Sequence, residues 1–150
     1  MSRTMRQQAV AFLLLSIVLA CFQGCAKEYS DRDIVFLDVE QAQALVEHDE
    51  VSLFSEPKKN TWLDPRTAEK YSAGHIPGAI SMPYRDVATK WEELKSYGFI
   101  VVYGNTYNDP LADAMSKTLM ELGLEDVRTL HGGLEAWTNA GNPVTKGRRP

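Results

Sequence analysis

From residue 34 onwards the chain alternates short apolar runs with helix-periodic segments, and this alternation leaves few folds open. Ile34 to Leu37, Thr61 to Leu63, Ala79 to Ser81, Phe99 to Tyr103 and Val127 to Leu130 read as strands. The strongest is Phe99 to Tyr103, aromatic and β-branched throughout, as in a strand buried on both faces. Val39, Ala42, Leu45 and Val46 share one helical face, opened by a capping box of Asp38 and Gln41. Ala68 and Tyr71 turn inward on a short helix that stops at Gly74. Tyr84, Val87, Ala88, Trp91 and Leu94 fall at helical spacing, as do Leu111, Ala114, Met115, Thr118, Leu119 and Leu122 before Gly123. A last helix follows Gly132 and Gly133, carries Leu134 and Trp137, and ends at Gly141 to Pro143. Val51 to Phe54 reads as extended and Ser55 to Asn60 as a solvated loop. Strands and helices alternating over short connections imply an α/β fold, a parallel sheet covered by helices on both sides.

The 150 residues suffice for one domain of ordinary size. A net charge of −4 argues against a general nucleic-acid binder, which carries a basic surface. Both cysteines, Cys21 and Cys25, lie near the N-terminus. The folded part therefore has no disulfide scaffold, no Cys-ligated zinc and no thiol chemistry of its own. His48, His75 and His131 are too dispersed to give a metal-ligand spacing, and neither a metal nor a cofactor is expected. There is no Gly-x-Ser-x-Gly elbow, phosphate loop or His-Glu-x-x-His segment.

The N-terminus reads as an address. Arg3 and Arg6 precede an apolar run, Ala9 to Phe22, too short for the about 20 residues that span a bilayer. Positive charge, a short apolar segment and small residues at its end match a secretory signal. Val18 to Cys21 resembles the lipobox of bacterial lipoproteins, with Phe22 to Cys25 a poorer second candidate. The expected organisation is a cleaved signal over 1–20, a polar tether over 21–33, the folded domain over 34–144 and a tail over 145–150. Lipid on Cys21 or Cys25 would hold the chain at the bacterial cell envelope, facing the periplasm or the outside. Loss of residues 1–20 leaves fourteen basic against twenty acidic side chains, a charge of −6, unsuited to anionic lipid.

In open parallel sheets ligands sit beyond the carboxyl ends of the strands. The loop after the strongest strand, Gly104, Asn105, Thr106, Tyr107, Asn108 and Asp109, is therefore the candidate site. A loop that feeds a helix N-terminus is an anion cradle by default, because several amides have no helical partner.

Several blocks now fall into a pattern. Trp62 to Arg66, Glu69 to Tyr71, Ala73 to Ile80, Ile100 to Tyr103, Ala112 to Gly123, Val127 to Trp137 and Ala140 to Val144 closely resemble, in order, the rhodanese (sulfurtransferase) domain. The resemblance implies a three-layer fold with a five-stranded parallel sheet and helices on both faces. In an active rhodanese a Cys directly follows the central strand. Its thiolate takes sulfur from a donor such as thiosulfate, and the persulfide passes it to cyanide or a thiol. A loop of amides, usually ended by an Arg, stabilises the Cys and the anion.

This chain departs from that pattern twice. Gly104 stands at the Cys position, so no covalent sulfur intermediate can form there. Asp109 stands where the Arg would be, and Asp109-Pro110 reads as a helix start, with Asp as N-cap and Pro at the first helical position. Its carboxylate is expected to accept the amides that otherwise bind an anion, and Pro110 removes one donor. The site is thus expected to be self-capped and negatively charged. No catalytic residue remains, and Gly104, Asn105, Tyr107 and Asp109 are the candidate binding residues.

Other polar residues have plainer readings. His75 reads as a hydrogen-bonded turn residue, His131 as shaping a turn at the site end of the sheet, and His48 as solvated. Asp64 and Arg66 read as a structural contact under the loop. The leading functional expectation is a membrane-anchored, catalytically inactive module that binds a protein partner or small ligand. An enzyme-like alternative handles sulfur through a partner's cysteine, and a third reading is a purely structural domain.

Overall fold

The computed structural model describes residues 27–48, 57–107 and 109–149. The signal segment, Cys21, Cys25, the extended stretch Val51 to Phe54 and Asn108 lie outside the described residues. Five strands form one all-parallel sheet: β1 (Phe36–Leu37), β2 (Thr61–Asp64), β3 (Ile80–Ser81), β4 (Ile100–Val102) and β5 (Val127–Leu130), in the order β1-β5-β4-β2-β3. The helices are α1 (Val39–Glu47), α2 (Ala68–Ala73), α3 (Val87–Lys90), α4 (Pro110–Glu121) and α5 (Gly133–Asn139).

The two-residue period of a strand sends neighbouring side chains to opposite faces, and both faces are buried. Leu63, Ile100, Val102 and Val127 pack with Val87, Leu94, Met115 and Leu119 on one side. Trp62, Val101, Tyr103 and Leu130 pack with Ala42, Tyr71 and Trp137 on the other. The three-layer α/β expectation therefore holds. The capping box forms as read: Asp38 accepts from the Gln41 amide at 2.8 Å, and the Asp38 amide donates to Gln41 Oε1 at 3.1 Å.

Several local expectations are corrected. The strand expected over Ile34 to Leu37 shortens to Phe36–Leu37, because Asp31–Asp33 forms a turn of 3₁₀ helix that delivers Ile34 into the core. That turn is tied to α4 by a Lys117–Asp31 ion pair, so the expected tether ends docked on the domain. Ala68 is exposed, and Tyr71 alone anchors α2. The single helix expected over 84–94 is three short pieces: 3₁₀ turns at Tyr84–Asp86 and Trp91–Ser96 flank α3. Val87 and Leu94 reach the core, whereas Ala88 is exposed and Trp91 is half-buried under the Lys95 ammonium. Asn60, expected in a solvated loop, is buried. Its amide donates to the Leu45 and His48 carbonyls and accepts from the Phe99 amide. Beyond Val144 the chain stays on the domain, since Thr145 and His75 exchange two backbone bonds at 3.0 and 2.9 Å.

Candidate functional site

The carboxyl ends of the strands all lie at one end of the sheet, and the loop from Gly104 leaves β4 there. Its shape is set from both sides. The Gly104 carbonyl accepts from the Leu134 amide at 3.0 Å, and the Asn105 carbonyl from the Glu135 amide at 2.9 Å. The first turn of α5 thus clamps the loop through its unpaired amides. Gly132 and Gly133 make the approach possible. Both have positive φ, and a β-carbon on Gly133 would stand 2.5 Å from the Gly104 carbonyl oxygen. One on Gly132 would stand 2.6 Å from the Tyr107 ring. Only glycine combines that conformation with that clearance.

Asp109 closes the loop as the sequence predicts. Its side chain accepts from the Leu111 amide at 3.0 Å, capping α4, with Pro110 at the first helical position. The second carboxylate oxygen accepts from the Asn105 amide at 2.8 Å. Both oxygens are therefore committed to amides at opposite ends of one loop. These are the donors an incoming anion would have to recruit, and a fixed negative charge already holds them.

Beneath the loop, the Asp64 and Arg66 side chains are buried and doubly hydrogen-bonded, with Nη2 to Oδ2 at 2.6 Å and Nε to Oδ1 at 2.9 Å. Arg66 also donates to the Gly74 carbonyl and to Asn105 Oδ1. Every strong donor of the guanidinium points at structure, not at solvent. Burial alone would lower its pKa, but the bonds to Asp64 outweigh that and leave it raised. Burial, reinforced by the charge of Asp64, pushes the Tyr103 phenol far up, and its oxygen accepts from the Ile76 amide at 3.1 Å. Neither group is poised for proton transfer near neutral pH.

The histidines divide. His75 is fully buried, stacked on Tyr71 with ring centres 3.8 Å apart, its Nδ1 bonded to the Tyr71 carbonyl at 2.9 Å. That is the structural turn residue the sequence suggests. His48 is exposed at the end of α1. His131 lies at the site, where its ring meets Phe36 and Tyr107 edge-on, with centres 5.8 and 5.1 Å away. Those three rings border an open cavity of about 420 Å³ beside the loop, with Asp38, Asp109 and Asp113 also lining it. Gly104, Thr106 and Tyr107 contribute from the loop, while Asn105 turns to Arg66 and to a neighbouring shallow hollow. Sequence reading places His131 at this end of the sheet but does not single out Phe36 or Asp113 as site residues; Phe36 arrives through the parallel pairing of β1 with β5, and Asp113 through the first turn of α4.

A family model described as a rhodanese-like domain matches residues 39–140. The chain is 31% identical to the thiosulfate sulfurtransferase GlpE of Pseudoalteromonas translucida, over 51% of this chain and 71% of that protein. It is 37% identical to the HTH-type transcriptional regulator Rv0324 of Mycobacterium tuberculosis, over 58% of this chain but only 38% of the regulator. Among solved structures, the Alr3790 protein from Anabaena sp. superposes with a TM-score of 0.59 at 32% identity, over 73% of this chain and 80% of that one.

Proposed function

We propose that this chain, which belongs to the rhodanese-like domain family and is related to sulfurtransferases, is a binding module that has given up sulfur-transfer chemistry. The observation that carries this reading is the double replacement at the loop. Gly104 offers no nucleophile, and Asp109 occupies with its own carboxylate the amides that would hold an anionic donor. Asn105, Tyr107 and Asp109, together with the Gly104 backbone, are then recognition elements for a protein partner or small ligand. The Val18 to Cys21 segment supports anchoring by lipid at the cell envelope, with Cys25 as the alternative attachment.

The test uses the anchored full chain as bait, in wild-type form and as Tyr107→Ala and Asp109→Asn variants of equal folded content. Asn retains N-cap ability, so the second variant removes charge while keeping the helix start. A partner retained by wild type and lost by both loop variants supports a binding site at the loop. Retention unchanged by both contradicts it and leaves a structural domain. Sulfur transfer from thiosulfate in the retained mixture, absent from the partner alone, would contradict the non-catalytic reading in favour of shared chemistry. Membrane attachment is read separately, by fractionating a variant with Cys21 and Cys25 both changed to Ser. Firm membrane association of that variant would refute the lipid anchor.

A further inference from the structure

We propose that the cavity beside the loop receives a cationic side chain, an arginine or lysine presented on the surface of a partner protein. This deepens the binding reading of the same site and rests on it.

Three observations converge. The cavity is lined by three carboxylates, Asp38, Asp109 and Asp113, with His131 the one basic side chain among the described residues of its walls. The nearest lysine on α4, Lys117, is engaged by Asp31 at the rim. Two of the few large exposed hydrophobic side chains among the described residues, Phe36 at 44% and Tyr107 at 54%, stand at this same cavity, on either side of His131. Aromatic rings and carboxylates around one opening are the surroundings that attract an ammonium or guanidinium group. Asp113 adds support. Its pKa is raised, first by burial and then by Asp31, with Asp109 pushing the same way against Lys117 and His131. Asp38 and Asp109 already accept helix N-terminal amides, whereas Asp113 is a partly desolvated carboxylate that an incoming cation would stabilise.

The rim argues for a polypeptide over a free amine. Phe36, on the edge strand β1, and Tyr107 keep exposed apolar surface at the cavity's opening. A side chain arriving on a protein can cover that surface with its flanking residues, whereas a lone cation cannot. The loop keeps its place at the carboxyl ends of the strands, but the charge it selects is reversed.

The experiment is an amide-resolved NMR titration of the full chain with defined probes: a blocked peptide carrying arginine beside valine, its citrulline counterpart, blocked arginine amide alone, and thiosulfate. The expected result is that the arginine peptide moves the Asn105, Asp113 and His131 amides, and that the citrulline peptide needs at least ten times the concentration. Asp113→Asn should weaken the arginine peptide several-fold while leaving amides in β4 and β5 unmoved, which shows the fold intact. Equal binding of the citrulline peptide, or displacement of the arginine peptide by thiosulfate, would overturn the proposal. Blocked arginine binding as tightly as the peptide would also overturn it, assigning the cavity to a small amine. Silence from all the probes overturns it too, while the bait experiment above still decides whether the loop binds a partner.

Discussion

The Asp109 carboxylate stands in the space that a side chain at position 104 would need. A β-carbon on Gly104 would lie 3.1 Å from both Cγ and Oδ2 of Asp109, and 3.2 Å from its β-carbon. Gly104 is not among the positive-φ glycines, so its backbone conformation would admit any residue. What crowds a side chain there is Asp109, so the two departures from the family pattern are in direct contact.

That contact predicts coupling between the two positions. Asp109→Ala removes an N-cap and a second charge-assisted bond, and should cost about 1–2 kcal/mol. Gly104→Ala should cost less on its own, through crowding. The double variant should be more stable than the sum of the two costs predicts, by about 0.5 kcal/mol or more, since loss of the Asp109 carboxylate vacates the crowded space. Denaturant midpoints of the four proteins measure this directly, and strict additivity would contradict the contact.

Asp64 and Arg66 should behave as scaffold. Removing either partner leaves the other charge buried and unpaired, which typically costs about 3–5 kcal/mol. Arg66→Met and Asp64→Asn should each lower stability by that order, and the loss should appear in urea unfolding as a shifted midpoint. A fully stable Arg66→Met variant would show that the guanidinium is free to serve the cavity instead.

The two tryptophans at the helix layer should separate. Trp137 is 5% exposed, meets Trp62 edge-on with ring centres 5.3 Å apart, and donates its indole N–H to the Pro143 carbonyl at 2.7 Å. Trp137→Ala should cost about 3–5 kcal/mol. Trp91 keeps part of its surface in water under Lys95, so Trp91→Ala should cost clearly less. Thermal melts of both variants check the order.

The contrast shows where the sequence was readable. The Asp38–Gln41 capping box and the Asp109-Pro110 helix start depend on neighbours within a few residues, and both form as read; the parallel sheet follows from the alternation of strands and helices, though its strand order does not. The segment from Tyr84 to Leu94 has helical spacing, yet tertiary packing of Val87 and Leu94 is met by a chain that tightens to 3₁₀ geometry on either side of α3. Periodicity alone cannot distinguish those windings, and it misplaced Trp91 and Ala88. Likewise, Asp109's closure of its own loop is local and legible. The meeting of Phe36, Asp113 and His131 is not, because it depends on long-range strand order.

Asp113 gives a pH-dependent signature. Its folded-state pKa lies above the ordinary 3.8, chiefly because burial disfavours the charged form. The folded protein then holds this proton longer than the unfolded chain, so stability declines as pH rises through the interval above 3.8. At neutral pH the whole penalty is present. Asp113→Asn should therefore melt higher than wild type at pH 7, and the difference should close as pH falls below the ordinary carboxylate value. A variant less stable at pH 7 would place Asp113 in a favourable interaction instead.

Sulfur transfer from thiosulfate to cyanide, measured at equal folded concentration, tests the account of the loop most directly. Wild type should show no turnover above background. Gly104→Cys should recover little, because Asp109 crowds the new side chain, discourages its thiolate and repels the donor. A carboxylate about 4 Å from an anion opposes it by about 4 kcal/mol per unit-charge pair at an effective dielectric near 20. Gly104→Cys combined with Asp109→Arg should turn over measurably faster than the single variant. Turnover by the unmodified protein, or full recovery by Gly104→Cys alone, would contradict a loop closed by its own carboxylate.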